Sequence, residues 1–252
     1  MVMTKREPTL IGSVQRALRL LEAVGASGSG ATAKQLARAA DLPLPTTYHL
    51  LRTLTHEGYL VRVEGVYIHG PAVGDLGRSA EQQEARGAMR RRLAALRDEL
   101  GAPVYFATYQ DGELAVLDVA ESPALPAVHE WADFRRTAHA HAIGQCLLGQ
   151  LDQEGRRDHL SRYRPEPLTR NTLTDAAVLT RRLDTLNPGR PVLEWQEYLT
   201  GTVCAAVPIT VGRTAATVAL SLPADRAERL PGLAERLRVR VRTALGDPFL
   251  TI

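Results

Sequence analysis

Thr32 to Ile68 reads TAKQLARAADLPLPTTYHLLRTLTHEGYLVRVEGVYI, and this stretch decides the fold. Leu36 and Ala37 face inward on a short helix, and the small Ala37 lets a second helix cross closely. Asp41 marks a break, and Leu42-Pro43-Leu44-Pro45 cannot continue a helix, because proline lacks a donor and restricts its predecessor. From Pro45, suited to a first helical turn, Thr47, Leu50, Leu51 and Leu54 recur at helical spacing. Thr46, Tyr48, His49, Arg52 and Thr53 then point away from the core. Gly58 ends the helix, and Tyr59–Val63, Glu64-Gly65 and Val66–Ile68 read as strand, turn and strand. Two helices and a hairpin in this order form a winged helix, whose second helix suits a DNA major groove.

Upstream, Met1–Ile11 is a polar arm in which Lys5 and Arg6 are candidate phosphate contacts. Ser13 is a candidate N-cap for a helix with an apolar stripe of Val14, Ala17, Leu18, Leu21 and Val24. GASGSG (25–30) links it to Thr32, a second candidate cap. Downstream, Gly70-Pro71 ends the wing, and Ala72–Leu100 reads as a connector helix with a break near Gly87. Its arginines Arg90, Arg91, Arg92 and Arg97 read as solvated or paired with nearby acids.

From Pro103 the apolar period changes to two. Val104–Tyr109, the turn Asp111-Gly112-Glu113, and Leu114–Val119 predict a hairpin. Leu125–His129 is a further candidate strand. Helices are expected over Ala142–Leu151, from the cap Asp152 to Tyr163, and from the cap Thr174 to Leu186, the last closed by Asn187-Pro188-Gly189. Strands are expected at Pro191–Glu194, Thr202–Val211 and Thr214–Leu222, with a final helix over Pro231–Leu245. Hairpins mixed with helices give an α+β fold class on a mainly antiparallel sheet. The expected divisions are 1–71 for the winged helix, 72–100 for the connector and 101–252 for the second domain.

Bulk composition narrows the function classes. The 252 residues are 44% hydrophobic, and the formal charge is +3. Residues 1–100 hold 14 Lys/Arg against 10 Asp/Glu, whereas residues 101–252 hold 17 against 18. That asymmetry suits a polyanion-facing front half and a neutral rear half. The absence of a leader or a long apolar run predicts a cytoplasmic protein with no membrane association. Two distant cysteines, Cys146 and Cys204, provide no disulfide framework. There is no Gly-x-Ser-x-Gly, phosphate-binding glycine loop or carboxylate cluster, so no enzyme and no cofactor are expected.

Ser13–Leu18, the Thr32–Ile68 segment and Tyr67-Ile68-His69-Gly70 together resemble the IclR family of bacterial transcription regulators. His139–Gln145 (HAHAIGQ) resembles that family's loop-to-helix signature, and Glu197–Gly201 followed by Val203–Pro208 resembles its late strand signature. The resemblance spans nearly the whole chain in the expected order. It implies a winged helix, a connector helix and a GAF-like effector-binding domain. It also implies homodimers, or dimers of dimers, that bind double-stranded DNA at palindromic operators. Asp41, His49, Asp133, Thr137 and Gln145 depart from the family's usual residues, so base preference and ligand identity do not carry over.

The expected DNA-reading residues are Thr46, Tyr48, His49 and Arg52, with Arg62 on the wing. By resemblance, the effector pocket lies beside the helix that starts near Ala142, whose free amides and dipole favour a small organic carboxylate. Its expected lining is Leu125, Val128, Ala142, Ile143, Glu194, Thr202, Cys204 and Ser221. Glu194 opposes a carboxylate unless it is protonated or bridged by water. Two alternatives stand beside this reading. His139, His141 and Cys204, with Cys146 nearby, carry zinc-ligand chemistry and suggest a metal-responsive regulator, although His-x-His on a strand points its rings to opposite faces. The other is a degenerate pocket that binds nothing.

Overall fold

A computed structural model describes residues 10–130, 132–187, 189–244 and 250–251. The chain divides into two compact units at Arg86/Gly87, inside the segment read as the connector. The candidate contacts Lys5 and Arg6, together with Pro188 and Leu245, lie outside the described residues.

The first unit contains α1 (Gly12–Ala26), α2 (Ala33–Ala39), α3 (Leu44–His56), and the antiparallel pair β1 (Leu60–Val63) and β2 (Val66–His69). Thr32 caps α2 through a full capping box, with the Thr32 and Gln35 side chains each bonding the other's backbone N–H. Asp41 stands at φ 50° after α2, where Leu42 N–H donates to Ala37 C=O and Asp41 N–H to Arg38 C=O. This is a left-handed helix stop made by an aspartate in place of the usual glycine. Gly58, at φ 76°, ends α3 with the same pair of bonds, Tyr59 N–H to Leu54 C=O and Gly58 N–H to Thr55 C=O. Glu64 and Gly65, at φ 49° and 88°, give the wing a turn that matches the strand twist. Leu20, Leu36, Leu51, Leu54 and Leu60 fill the core between these elements.

Local details differ from the sequence expectation. Ile11, not Ser13, precedes α1 and makes no side-chain cap. Helix α3 begins at Leu44, one residue before Pro45. Helix α4 (Pro71–Leu100) is unbroken at Gly87, because a single glycine weakens a helix without ending it.

The second unit is an antiparallel sheet in the order β4-β3-β7-β6-β5. Its strands are β3 (Val104–Gln110), β4 (Glu113–Ala120), β5 (Val192–Trp195), β6 (Thr202–Val211) and β7 (Thr214–Pro223), and β8 (Leu250–Thr251) also pairs with β6. The helices are α5 (Ala142–Gln150), α6 (Gln153–Arg162), α7 (Ala176–Asp184) and α8 (Leu230–Ala244), with a 3-10 turn over Ala224–Arg229. Alternation puts Phe106, Val203, Ala205, Val207, Val218 and Leu220 on the α8 face. Tyr105, Ala107, Ala206 and Ala219 lie on the opposite face, under Ile143, Leu147 and Leu148 of α5. Gly144 is required there: a Cβ would stand 2.2 Å from Ala138 C=O.

Two further corrections arise here. Leu125–His129 is a loop whose one ladder contact is a Ser122–Leu125 bridge; Pro126 supplies no donor to a ladder, and Val128 N–H turns instead to the Tyr105 hydroxyl. Helix α7 is capped by Asp175, which accepts from Ala177 and Val178 N–H, and not by Thr174.

Candidate DNA-reading face and effector pocket

Helix α3 buries Thr47, Leu51 and Leu54, and this fixes which side faces out. Tyr48, His49 and Arg52 are exposed, while Thr46 is half-buried and so less available than its spacing implied. Arg52 makes no ion pair among the described residues. Arg62 does not pair with neighbouring Glu64; its guanidinium stands 5.8 Å from the Tyr67 ring centroid, a cation–π placement that steadies it on the wing. Lys34 and Arg38 add exposed charge on α2. Their spacing around the inward Leu36 and Ala37 is the sequence signal that marks them as outward-facing.

The expected effector residues divide into two groups. Leu125, Val128, Thr202 and Ser221 line one cavity of ≈ 580 Å³, together with Pro103, His129 and Arg226. Ala142, Ile143, Glu194 and Cys204 do not line it. Glu194, Cys204 and Ser221 are nonetheless direct neighbours across the sheet, since Glu194 pairs with Cys204 and Cys204 with Ser221. The Tyr105 hydroxyl joins the groups, 2.9 Å from Ser221 Oγ and accepting from Val128 N–H at 2.7 Å. Tyr105 was legible only as a strand residue, yet it holds the cavity wall in place. Burial pushes its phenol up to about 12, so it stays neutral.

Glu194 is buried, and its carboxylate accepts from Glu197 and Tyr198 N–H. Desolvation raises its pKa to about 7, partly opposed by the Glu197 backbone bond. Beside it, burial raises the Cys204 thiol well above its ordinary value, leaving it unreactive. Gln145 Nε2 donates to His139 C=O and to Glu197 Oε2, both at 2.9 Å, and Arg182 grips Glu197 Oε1 at 2.7 Å. This buried chain fastens α5 to the 196–201 loop and α7.

His139 and His141 lie in a turn, not on a strand. His141 Nδ1 accepts from Gly144 N–H at 2.9 Å and so caps α5; its Nε2 stands 3.0 Å from Phe134 C=O. Burial lowers its pKa to about 4. His139 Nε2 lies 2.9 Å from Glu166 C=O. His141 is committed to backbone through both nitrogens and His139 through Nε2 alone, its buried Nδ1 meeting no partner among the described residues. Among those residues no three His, Cys, Asp or Glu side chains converge as a metal site. The structure does not favour the metal-sensing alternative. Both cysteines are free thiols.

No helix among the described residues is long and apolar enough to cross a membrane. Residues 13–64 match the IclR helix-turn-helix domain, and residues 78–244 match the bacterial transcriptional regulator IclR C-terminal domain. The chain is 25% identical over 256 residues to the HTH-type transcriptional repressor AllR of Klebsiella pneumoniae, covering 93% of this chain and 90% of that protein. An IclR homologue from Microbacterium sp. strain HM58-2 superposes with a TM-score of 0.55 at 23% identity, over 93% of this chain and 98% of that one. The inducer-binding domain of a double mutant of PobR from Acinetobacter, in complex with 3-hydroxybenzoic acid, gives a TM-score of 0.50 at 20% identity, over 61% of this chain and 95% of that one. With a matching reader domain, a matching C-terminal domain and the α3 face built on them, the chain belongs to the IclR family and is a transcription regulator with a DNA-binding helix-turn-helix.

Proposed function

We propose that this regulator is a ligand-responsive repressor of the bacterial cytoplasm, which binds a palindromic operator as a homodimer or dimer of dimers and answers to a small organic acid. The observation that carries the reading is the outward row Tyr48, His49 and Arg52 on a helix whose other face is locked into the core. Repression is supported by the similarity to AllR. Dimerisation is supported by Ile11, just before α1, and Val14 and Leu18 on it, apolar side chains exposed at 66%, 53% and 53%. A second copy would cover them.

The acid reading rests on three features. A double mutant of the PobR inducer-binding domain, similar in fold, binds 3-hydroxybenzoic acid. The Ala142 and Ile143 N–H groups at the start of α5 meet no acceptor among the described residues, and such groups favour a carboxylate. Glu194, titrating at about 7, carries a proton in a large share of molecules near neutrality. It then donates to a bound acid where a charged carboxylate would repel it. On this reading Leu125, Val128, Thr202 and Ser221 hold the ligand's body in the cavity they line, and its head reaches past the Tyr105–Ser221 contact to Ala142, Ile143, Glu194 and Cys204, which lie beyond that lining. Occupancy shifts the balance between operator-competent and incompetent forms through α4.

Selection of genomic DNA by the purified protein tests the reading. It is expected to enrich one two-fold symmetric sequence, to which Arg52→Ala binds at least about tenfold more weakly, and acids made or consumed by the neighbouring gene products should release it. If no sequence is enriched at moderate salt, the reading fails.

A further inference from the structure

A second cavity opens at the far end of α5. The effector cavity lies at the Thr202–Pro223 end of the β6–β7 pair, and this one, of ≈ 360 Å³, lies at the Thr210–Ala215 end. The two share no lining residue. The opening follows from strand lengths. Strand β5 is four residues long and pairs only with Val203–Ala206, so β6 loses that neighbour before β8 meets it at Thr210 and Val211. Pro208 falls in the gap. Because β6 pairs with β7 without interruption, the donor that proline lacks belongs on the vacated side, where no strand asks for it.

The floor is apolar: Leu186, Val192, Ile209 and Ala215 line it with the Cys146 thiol. Gln150 spends its two amide N–H groups on Cys146 C=O and Ala216 C=O at 3.1 and 3.0 Å, so they are not free to meet a ligand. The rim is cationic. Arg190 and Arg213 both line the cavity, no carboxylate side chain does, and neither arginine has an ion pair among the described residues. By contrast Arg156, Arg162, Arg182 and Arg240 are paired with carboxylates.

We propose that this cavity is a second small-molecule site, which takes an amphipathic carboxylate with its ring or short chain against Val192, Ile209 and Ala215 and its acid group between Arg190 and Arg213. The volume sits near the lower end of the range of about 300–1,000 Å³ for ligand pockets, which sets a one-ring or short-chain size. Two guanidiniums select an anion, and no carboxylate side chain lines the cavity to oppose it.

Calorimetric titration of the full chain with benzoate, and with benzamide as its uncharged isostere, tests the site without any DNA readout. A benzoate-binding event is expected that benzamide lacks. The Arg190→Ala/Arg213→Ala double variant should weaken it at least about tenfold, with an unchanged far-ultraviolet spectrum. Ala215→Met, which fills the floor, should abolish it, and Ser221→Ala in the effector cavity should leave it intact. The proposal is overturned if benzoate does not bind at millimolar concentration, if the arginine pair has no effect, or if Ser221→Ala removes the event. Should Ala215→Met fail to fold, the arginine variant and the benzamide comparison still decide. Because the readout is binding at the far end of β6, its failure leaves the operator and effector reading untouched.

Discussion

The Tyr105 hydroxyl stands 2.9 Å from Ser221 Oγ and also accepts from Val128 N–H at 2.7 Å, so one phenol ties β3, β7 and the 121–130 loop together. Tyr105→Phe keeps the ring and deletes this junction. Val128 is half-buried, so water replaces part of the lost bond and the cost is about 1 kcal/mol. Urea unfolding followed by tryptophan fluorescence should show that loss, since Trp195 on β5 reports on the C-terminal unit. Amide exchange at Val128 should accelerate by more than that of β6. Unchanged exchange at Val128 would remove the loop-anchoring role.

Glu194 gives the C-terminal unit an unusual pH response. Its folded pKa is raised to about 7 from an ordinary 4.5, so between those values the native chain holds a proton that the unfolded chain has lost. Its contribution is therefore fully present below 4.5 and falls as pH rises towards 7. Buried His141 and His159 act oppositely: both are lowered to about 4 from 6.5, chiefly by burial. Their stabilisation is present above 6.5 and is lost as pH falls towards 4. Two histidines outweigh one carboxyl, so net stability should rise from pH 4 to 6.5. Glu194→Gln keeps an acceptor for Glu197 N–H and removes the titration. The melting temperature of the variant relative to wild type should be higher at pH 8 than at pH 5. An equal difference at both pH values would place Glu194 in the ordinary carboxylate range.

What could be read from sequence was whatever local spacing controls. The Thr32 cap, the Asp41 stop and the Glu64-Gly65 turn each depend on residues within a few positions, and β6 begins and ends where its apolar alternation does. The loop at Leu125–His129 was misread as strand because its apolar run hid where its donors go. Ala127 N–H reaches the Glu121 carboxylate and Val128 N–H reaches Tyr105. His141 was weighed as a metal ligand, yet its cap on Gly144 depends on the turn preceding α5. The Gln145–Glu197–Arg182 chain joins residues 52 and 15 positions apart, and no periodicity marks such partners.

Asp41 offers a direct test of the turn between α2 and α3. Its φ of 50° is tolerated by aspartate but is hostile to a β-branched side chain. Asp41→Val should destabilise the first unit by about 1–2 kcal/mol. Asp41→Gly should be close to neutral, because relief of the backbone offsets an entropy loss of about 0.4–1 kcal/mol. Hydrogen exchange over residues 32–68 measures both without interference from the rear unit. Equal protection in the valine and glycine variants would show that the left-handed stop is dispensable.

Arg52 and Arg62 should separate by what they touch. Arg52 projects from α3 with no ion pair among the described residues, whereas Arg62 is steadied by Tyr67 on the wing. A wing arginine that grips the backbone neutralises a phosphate, so Arg62→Ala should weaken all sequences alike and lower the salt slope by roughly one. A bidentate contact from Arg52 to guanine would instead give about 1–3 kcal/mol of discrimination at one base position. Arg52→Ala should then lose affinity for the selected operator while keeping most of its affinity for unrelated duplex. Fluorescence anisotropy at several salt concentrations, with the operator and single-base variants, reads both slopes and ratios. If Arg52→Ala weakens operator and unrelated DNA equally, Arg52 is a phosphate contact, and base selection falls to Tyr48, His49 and the half-buried Thr46.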